Sequence, residues 1–497
     1  MTGRLQEKNL NKHQNIMFSK KDFRKITDWS WEVPKDLRKD MRVPARIYVS
    51  ENMLEEVFKD RSISQLMNLC ALPGIQKYGL AMPDMHEGYA SPIGGVAAIR
   101  TSDGIISPGM QGYDINCGMR LLKSNYYLKD IQPYLDKLAT EIQKEVPSGL
   151  GKGRETKLDV LEINKILENG AERLVEQGYG EKEDLENCET GGRLKGADAT
   201  AVSDRAKNRG RSQVGTLGSG NHFLEVQRVE KVFDEETAKA FGVFQDQIVI
   251  MIHTGSRGLG HQIATDYIRE FMGLMGKYNI KVPDQEFACV PFNSPEGQRG
   301  LAASACGANY AWANRQMIAH LIRKAWKSVL GEKSSPLIPL YDVAHNIIKK
   351  EKYIIEGKET EVAVHRKGAT RAFPPGHPEI PERYRKVGQP VLIPGSMGTA
   401  SYILVGTKEG EEAFFSTCHG AGRIMSRKAA IRTISGEEVV KRLGEKGIII
   451  KCQSMRGIAE EAPLAYKNID NVVEVVHKAG LSKKVARLVP LAVIKGE

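Results

Sequence analysis

Five short segments carry a histidine or cysteine of metal-ligand type, most with glycine beside it, and they lie far apart between residues 114 and 423. They are DINCG from Asp114, GSGNHFLE around His222, HTGSRG from His253, DVAHN around His345 and TCHGAGR around His419. The chain has only 11 histidines and 7 cysteines among its 497 residues. Glycine lets backbone pack closely around an ion or phosphate. We therefore expect the fold to gather these segments into one composite site, which requires the intervening chain to fold as a unit.

Short apolar strands alternate with amphipathic helices from Val43 onward, which predicts a mixed α+β fold. We see no short-period repeat and no linker, so one large layered domain over residues 41–497 is favoured. Residues 1–40 carry no site motif and are predicted to be a leading arm or a small appended element, with no structure assigned. Residues 150–212 are polar and basic, and form either a peripheral subdomain or an exposed insertion. The predicted elements include strands Ala45–Val49, Gly94–Ile99, Gln247–Ile252, Pro336–Val343 and Val489–Ile494, helices Tyr134–Val146, Leu158–Glu176 and Asn471–Ala479, one or two helices over Ser294–Leu330, and a hairpin over Tyr353–His365.

The composition, 41% hydrophobic and 27% charged, is typical of a soluble globular protein. A net charge of +11 favours polyanionic partners such as nucleic acid or phosphorylated ligands. The seven cysteines include no CxxC pair, so a disulfide framework is not expected. No apolar run approaches the ~18 residues of a membrane span, and the polar N-terminus does not resemble a signal peptide. We expect no membrane association and a cytoplasmic location. Basic clusters that face either phosphate or only solvent are Arg205, Lys207, Arg209, Arg211, Arg423, Arg427, Lys428 and Arg432.

One carboxylate, one cysteine and three imidazoles make up the predicted metal site. Asp114 and Cys117 lie three residues apart, so both reach one ion if the segment turns. A thiolate can bridge two cations, and the set could therefore hold a pair of divalent metals with open positions for chemistry. Each residue alone has a simpler interpretation, as a turn-forming Asp, an inert buried Cys or a core His. The soft thiolate favours zinc or iron and the carboxylate favours manganese, so the ion stays open. The predicted ligands are Asp114, Cys117, His222, His253 and His345.

His419 differs from the other histidines because it opens a Gly-Ala-Gly-Arg turn before a helical pattern. Backbone amides of such a turn favour anions, and a neutral imidazole can attack phosphorus without prior deprotonation. Arg423 and the loop from Pro394 to Ser401 would add charge, amides and hydroxyls, although a hairpin turn also explains that loop. The chain has no GxxxxGK[ST] or GxGxxG motif. A nucleotide would therefore need a different cradle, which favours His419 as the nucleophile.

These residues lie in segments that resemble the RNA-splicing ligase RtcB family, in the same order, from about Ala71 to the C-terminus. The matching segments are ALPGI, PDMHEGY, SPIGG, SPGMQGYDINCGMRLL, GTLGSGNHFLE, MIHTGSRGLGHQ, YDVAHN, VHRKGATRAFPP, QPVLIPGSMGTASY, TCHGAGRIMSR, EEAPLAYKNID and AVIKG.

The resemblance implies the family's layered α+β sandwich around a dinuclear metal site. It implies an enzyme that uses GTP and two Mn²⁺ to join an RNA 2′,3′-cyclic phosphate or 3′-phosphate to a 5′-hydroxyl in tRNA splicing or RNA repair. Cys117 would bridge the metals, with Asp114 and His222 on one and His253 and His345 on the other. His419 would carry the guanylate, Arg257 and Arg423 would meet RNA phosphate, and an archease-type protein would be an activating partner. The implied nucleotide-binding residues are Asn221, His222, Glu225, His345, Asn346, Pro394, Gly395, Ser396, Met397, Ser401, His419, Gly420, Ala421, Gly422, Tyr466 and Lys495.

One position pair departs from the family pattern: Ala90-Ser91 stands where glycine and then an apolar residue are usual, so RNA preference is expected to differ. Asp84 and His86 in the same loop are candidates for supporting the site or contacting RNA.

Two other functions use the same residues differently. A dinuclear metallophosphoesterase acting on RNA ends would need the metal ligands but neither guanosine nor a covalent His419. A non-catalytic RNA-binding subunit would explain the basic charge but not Cys117 or the histidines. The physiological RNA, whether split tRNA, mRNA or damaged RNA, and the oligomeric state are not predicted by the sequence.

Overall fold

The computed structural model describes residues 18–149, 153–154, 157–332 and 334–496. Within these ranges the α-helices are α1 Glu51–Val57, α2 Ser62–Cys70, α3 Leu128–Ile131, α4 Leu135–Glu145, α5 Val160–Asn169, α6 Ala171–Glu176, α7 Lys182–Glu186, α8 Asp204–Gly210, α9 Glu235–Phe241, α10 Arg257–Leu274, α11 Pro295–Leu330, α12 Arg427–Thr433, α13 Gly436–Glu445, α14 Met455–Glu460 and α15 Ile469–Lys478. The strands are β1 Arg24–Thr27, β2 Ser30–Val33, β3 Ala45–Tyr48, β4 Ile75–His86, β5 Ile93–Arg100, β6 Ile105–Ile106, β7 Gly118–Tyr127, β8 Phe223–Val232, β9 Gln247–Thr254, β10 Val290–Pro291, β11 Ile338–Ala344, β12 Asn346–Ile355, β13 Lys358–Lys367, β14 Ala369–Arg371, β15 Pro390–Ile393, β16 Ser401–Gly406, β17 Ser416–Cys418, β18 Ile449–Cys452 and β19 Ser482–Lys495. The predicted mixed α+β class is confirmed.

Two large sheets organise the molecule. One has seven strands in the order β1-β2-β3-β4-β5-β13-β12, and the other has the order β11-β7-β9-β8-β19-β16-β15 with β18 added beside β19. Leu80 and Val96 of the first sheet share a hydrophobic cluster with Val391 and Leu404 of the second. Because His345 alone separates β11 from β12, the chain crosses from one sheet to the other at a predicted metal ligand.

Helix α11 spans 36 residues, about 54 Å at 1.5 Å per residue. The sequence predicted one or two helices here, and the structure has one. Ser294 caps its N-terminus by accepting a hydrogen bond from the Gly297 amide. Small residues such as Ala303 and Gly307 let neighbours approach: a Cβ at Gly307 would meet Ile115 at 3.0 Å. The helix lies beneath the loops that carry Asp114 and Cys117.

The hairpin predicted at Glu356-Gly357 is present, and it joins β12 to β13. Both residues have positive φ, 51° and 76°, as a two-residue type I′ turn requires. The predicted helix over residues 158–176 is instead two helices, because Gly170 breaks it with φ 61°. None of the described helices combines the length and apolar character that a membrane span needs.

Within the predicted leading arm or appended element, Arg24–Val33 form a hairpin whose second strand pairs with β3, and Trp31 and Val33 are buried. The hairpin forms one edge of the seven-stranded sheet. Residues 1–17 lie outside the described residues. In the predicted 150–212 subdomain, whose residues 150–152 and 155–156 are also outside, Ile163 and Ile166 share a core with Trp312 of α11. The division into domains stays a prediction.

Candidate active site

The register of the second sheet brings four of the predicted ligand segments to one end of neighbouring strands. Cys117 immediately precedes β7, and Gly118 pairs with Thr254 of β9 on one side and with Ala344 of β11 on the other. His222 immediately precedes β8, where Phe223 pairs with His253. Strands β11, β7, β9 and β8 are consecutive in the sheet, so residues more than 200 positions apart become neighbours.

Four imidazoles form a row at this end of the sheet. Ring centroids are 5.6 Å apart from His222 to His253, 5.2 Å from His253 to His345 and 5.1 Å from His345 to His419. The Cys117 sulfur lies 3.4 Å from Nε2 of both His222 and His253. Two groups of possible ligands therefore share this sulfur: Cys117 with His253 and His345, and Cys117 with Asp114 and His222.

The residues present fit a pair of divalent metals. Nitrogen and sulfur ligands at about 2.1 and 2.3 Å from a tetrahedral ion are separated by roughly 3.6 Å, close to the 3.4 Å seen here. The Nδ1 atom of His345 is buried without a hydrogen-bond partner among the described residues. A buried polar atom of this kind is costly unless something binds it. The mixed sulfur, nitrogen and oxygen donors do not identify the ion.

Burial sets the protonation of these groups. It lowers the pKa of His253 and His345 well below the usual range, so both rings are neutral and able to bind metal. Burial and the Asp114 carboxylate raise the pKa of Cys117 well above its usual value. Although burial opposes ionisation of Asp114, the hydrogen bond and charge of His222 lower its pKa to about 2. Metal binding must therefore displace a proton from the thiol.

A buried arginine of α11 ties the ligand loops together. Arg315 Nη1 donates to the carbonyls of Asn116 and Thr254, at 2.8 and 2.9 Å, next to Cys117 and His253. The same guanidinium pairs with Asp342 of β11 at 2.8 Å, and both side chains are almost fully buried. Asn116 itself has φ 52°, a left-handed conformation that asparagine tolerates better than most residues. These bonds fix the turn that presents Cys117.

His419 is held by Asp84. The His419 Nδ1 lies 2.5 Å from Asp84 Oδ2, and that oxygen also accepts hydrogen bonds from the amides of His419 and Gly420. Burial opposes ionisation, but the His419 charge and these bonds lower the pKa of Asp84. Gly422 has φ 72°, and a Cβ there would lie 2.3 Å from the Asp84 carbonyl oxygen. The arrangement occupies Nδ1 and leaves Nε2 as the nitrogen available for reaction.

A pocket of about 400 Å³ opens beside this histidine. Asp114 and His253 reach it from the ligand cluster, and Arg423, Arg427 and Lys495 give it positive charge. Its lining includes most of the residues predicted to bind nucleotide, namely Asn221, Pro394, Gly395, Ser396, Met397, His419, Gly420, Ala421, Gly422, Tyr466 and Lys495.

The other predicted nucleotide-binding residues do not line this pocket in the structure. Glu225 is buried and accepts a hydrogen bond from Gln227 at 2.6 Å, and Ser401 Oγ accepts one from the Gly395 amide. Asn346 donates to the Asp114 carbonyl at 3.1 Å and accepts from the Gly368 amide. In this structure Asn346 supports the ligand turn.

The two arginines predicted to meet RNA phosphate have protein partners. Arg257 donates to Thr216 and to the Gly149 carbonyl. Arg423 donates to Glu461 at 3.1 Å and to the Tyr466 hydroxyl at 3.0 Å. The Glu461 carboxylate also accepts from Arg427 and Tyr466, so it organises the cationic wall of the pocket.

Sequence reasoning missed Glu461, Arg315 and Asp342 as site residues and left the role of Asp84 open. Glu461 lies in the segment EEAPLAYKNID, which signalled it only by resemblance. Arg315 gives no local signal, because it lies within a long helix and its contacts are 27 to 199 residues away.

Fold and site together define a class: a mixed α+β metalloenzyme whose candidate two-metal centre adjoins a cationic pocket with a carboxylate-held histidine. The family described as tRNA-splicing ligase RtcB matches residues 65–496. The tRNA-splicing ligase RtcB of Thermococcus kodakarensis is 51% identical over 95% of this chain and 98% of its own length. That of Methanococcus maripaludis is 52% identical over 95% and 99%. The RNA-splicing ligase RtcB of Mycobacterium tuberculosis is 51% identical over 87% of this chain and 100% of its own. The chain belongs to the RtcB family, which confirms the resemblance.

Proposed function

We propose that this chain is a GTP- and Mn²⁺-dependent RNA ligase that joins 2′,3′-cyclic phosphate or 3′-phosphate ends to 5′-hydroxyl ends. The observation that carries the proposal is His419: its Nδ1 is held by Asp84 while its ring lies 5.1 Å from that of His345. A nucleophile and the candidate metal centre thus face one cationic pocket.

Cys117 would bridge two Mn²⁺, with Asp114 and His222 holding one and His253 and His345 the other. When bound, such cations act as Lewis acids that withdraw charge from phosphate oxygens. Lys495, Arg423 and Arg427 would balance the remaining negative charge of the nucleotide and of RNA phosphate. Arg257 would also contact RNA phosphate. The guanosine would occupy the pocket lined by Tyr466 and the Pro394–Met397 loop.

The chemistry proceeds in three transfers. His419 Nε2 attacks the GTP α-phosphorus; the N–P bond forms and the bond to pyrophosphate breaks, while Asp84 stabilises the charge on the ring. An oxygen of the RNA 3′-phosphate then takes the guanylate, and the N–P bond breaks. Finally the 5′-hydroxyl attacks the activated 3′-phosphorus, loses its proton and expels GMP. A cyclic phosphate end is first opened by water to the 3′-phosphate.

The test is covalent labelling with α-labelled GTP and Mn²⁺. We expect label on His419 that acid removes and alkali spares, as for an N–P bond, and no label on His419→Gln. His320→Asn, at a histidine paired with Tyr179 away from the pocket, is the matched control. Absence of the adduct in metal-loaded wild type would refute the proposal.

Product analysis separates the alternatives. A ligase joins labelled 3′-phosphate and 5′-hydroxyl RNAs, whereas a dinuclear phosphoesterase leaves them unjoined. An RNA-binding subunit would show salt-sensitive RNA affinity that Cys117→Ala does not change, without ligation.

RNA is the proposed partner, from split tRNA or broken strands. We also propose a cytoplasmic location and an archease-type activating protein. The buried thiol at the centre gives a physical reason for assisted metal loading, because oxidation of Cys117 would remove the shared ligand.

A further inference from the structure

Two stacked rings lie at the edge of the pocket, outside the set of residues discussed so far. Tyr113 lines the pocket beside Asp114. Its ring stacks on the imidazole of His261, with centroids 4.9 Å apart and planes 26° apart. On another side Tyr113 contacts Tyr89 at 5.4 Å. Tyr113 is therefore the middle ring, and through it the pocket adjoins His261 at the molecular surface.

This stack is not a core contact. His261 is exposed, and Tyr89 and Tyr113 are half-buried. His261 lies near the start of α10, four residues after Arg257. The start of α10 thus carries both the proposed RNA-phosphate arginine and a solvent-accessible ring.

The charges around the stack are unequal at its two ends. Next to His261, the exposed Arg209 of α8 donates to Gln262 at 3.1 Å. At the Tyr89 end, the half-buried Glu286 carboxylate accepts a hydrogen bond from the Ala90 amide at 2.8 Å. The Lys367 ammonium, which donates to the Tyr89 carbonyl, is buried and does not face solvent. A polyanion would therefore approach from the His261 end.

We propose that Tyr113 and His261 form a stacking platform for an unpaired nucleobase at an RNA end, with Arg209 facing the strand's phosphate. Proteins read single-stranded RNA largely by stacking bases on aromatic or histidine rings beside cationic side chains. The proposal rests on the RNA ligase function above and names where one reacting strand is held. Nothing else in the site explains an exposed ring stack at this edge.

The experiment measures binding of two fluorescent oligonucleotides, one ending in a 3′-phosphate and one in a 5′-hydroxyl, each with an intact or abasic terminal nucleotide. For the strand held on the platform, removing the base should weaken binding to the wild type about tenfold. His261→Ala should weaken binding of the intact strand by a similar factor and show no further loss with the abasic strand. His261→Phe, which keeps a flat ring, should retain most of the affinity.

Controls keep the two proposals separate. His320→Ala, at a second histidine–tyrosine pair far from the pocket, should bind both strands like the wild type. His261→Ala should still form the His419 adduct, because that step needs no RNA; this also shows that the variant is folded. If the wild type forms no adduct, the ligase proposal fails. The binding measurements with intact and abasic strands still test the stacking platform. An abasic penalty that persists in His261→Ala, or is absent for both strands in the wild type, overturns the platform.

Discussion

At the scale of single residues, the site depends on side chains that hold other side chains. Asp84 is fully buried, accepts hydrogen bonds from the amides of His419 and Gly420, and lies 2.5 Å from Nδ1 of His419. It is a positioning residue, because it acts through His419.

Replacing the charge of Asp84 tests this role. Asp84→Asn keeps an oxygen for the two amides but no longer favours a protonated Nδ1, so we expect guanylylation to slow by on the order of 10²–10⁴-fold. Single-turnover labelling with GTP measures the rate, and the melting temperature should change little. A normal rate would show that His419 does not need this carboxylate.

Glu225 gives a prediction for pH dependence. Burial raises its pKa to about 8, and the Gln227 hydrogen bond and Lys495 charge offset this only in part. The group is therefore protonated below about pH 8. If its carboxylate accepts hydrogen bonds from guanine, nucleotide binding must release that proton. GTP affinity should then rise about tenfold per pH unit between pH 6 and 7.5 and level off above pH 8.

Titration calorimetry across this pH range, without RNA, measures the effect. Glu225→Gln should bind GTP more weakly and without this slope. The same slope in the variant would assign the pH dependence to another group.

The residues whose positions in the fold could be predicted are those with a distinctive local motif, such as His253 at a strand end and His419 in its glycine turn. The structure gathers all five predicted ligands, but their roles remain proposals. Asp342 could not be found this way, because an Asp before an apolar strand residue is common and its partner Arg315 lies on another element.

At the scale of elements, α11 contacts the ends of strands β7, β9 and β11 and holds them together. Arg315 donates to the backbone beside both Cys117 and His253 and pairs with Asp342 of β11. Strands β7, β9 and β11 thus depend on one guanidinium for their relative positions at the metal end.

Arg315→Lys should therefore disturb both stability and metal binding. Lysine cannot reproduce the forked contacts, and a broken buried ion network costs about 3–5 kcal/mol of unfolding free energy. We expect bound metal to fall below the wild-type content. Urea unfolding of the metal-free protein and metal analysis by mass spectrometry measure the two effects.

Arg383→Lys is the matched control, since Arg383 pairs with Glu183 and both side chains are exposed. It should lose about 1 kcal/mol and keep its metal. Wild-type metal content in Arg315→Lys would contradict the positioning role.

Most elements could be predicted from periodicity, but their ends and pairings could not. The apolar run of β9 predicted a buried strand directly. By contrast β19 begins at Ser482, seven residues before the predicted start, because its first half alternates exposed and buried positions at the sheet's far end. Propensity gave no sign that this strand lies between β8 and β16.

At the scale of the whole molecule, the first described strands belong to the fold. Trp31 and Val33 are buried against β3 and its neighbours. The sequence suggested a leading arm or a small appended element because residues 1–40 are rich in charge and carry no site motif. The four exposed residues of β1 gave no sign of the buried strand that follows.

Removing residues 1–33 should therefore destabilise the chain. Loss of the buried Trp31 and Val33 exposes the edge of β3, and we expect the melting temperature to fall by on the order of 5 °C. Differential scanning calorimetry measures the change. A second variant that lacks only residues 1–17 separates the effect of the hairpin from that of the preceding residues. Equal melting temperatures for the 1–33 deletion and the full chain would support a dispensable arm.

The central place of β19 in its sheet has a consequence for biosynthesis. β8, which follows His222, pairs along its length with residues 486–495 of β19. During translation the sheet cannot close until β19 has left the ribosome. The Cys117 thiol is synthesised nearly 400 residues earlier and stays exposed to solvent until the sheet has formed. Protection of this thiol by a reducing environment therefore matters most during synthesis of the chain.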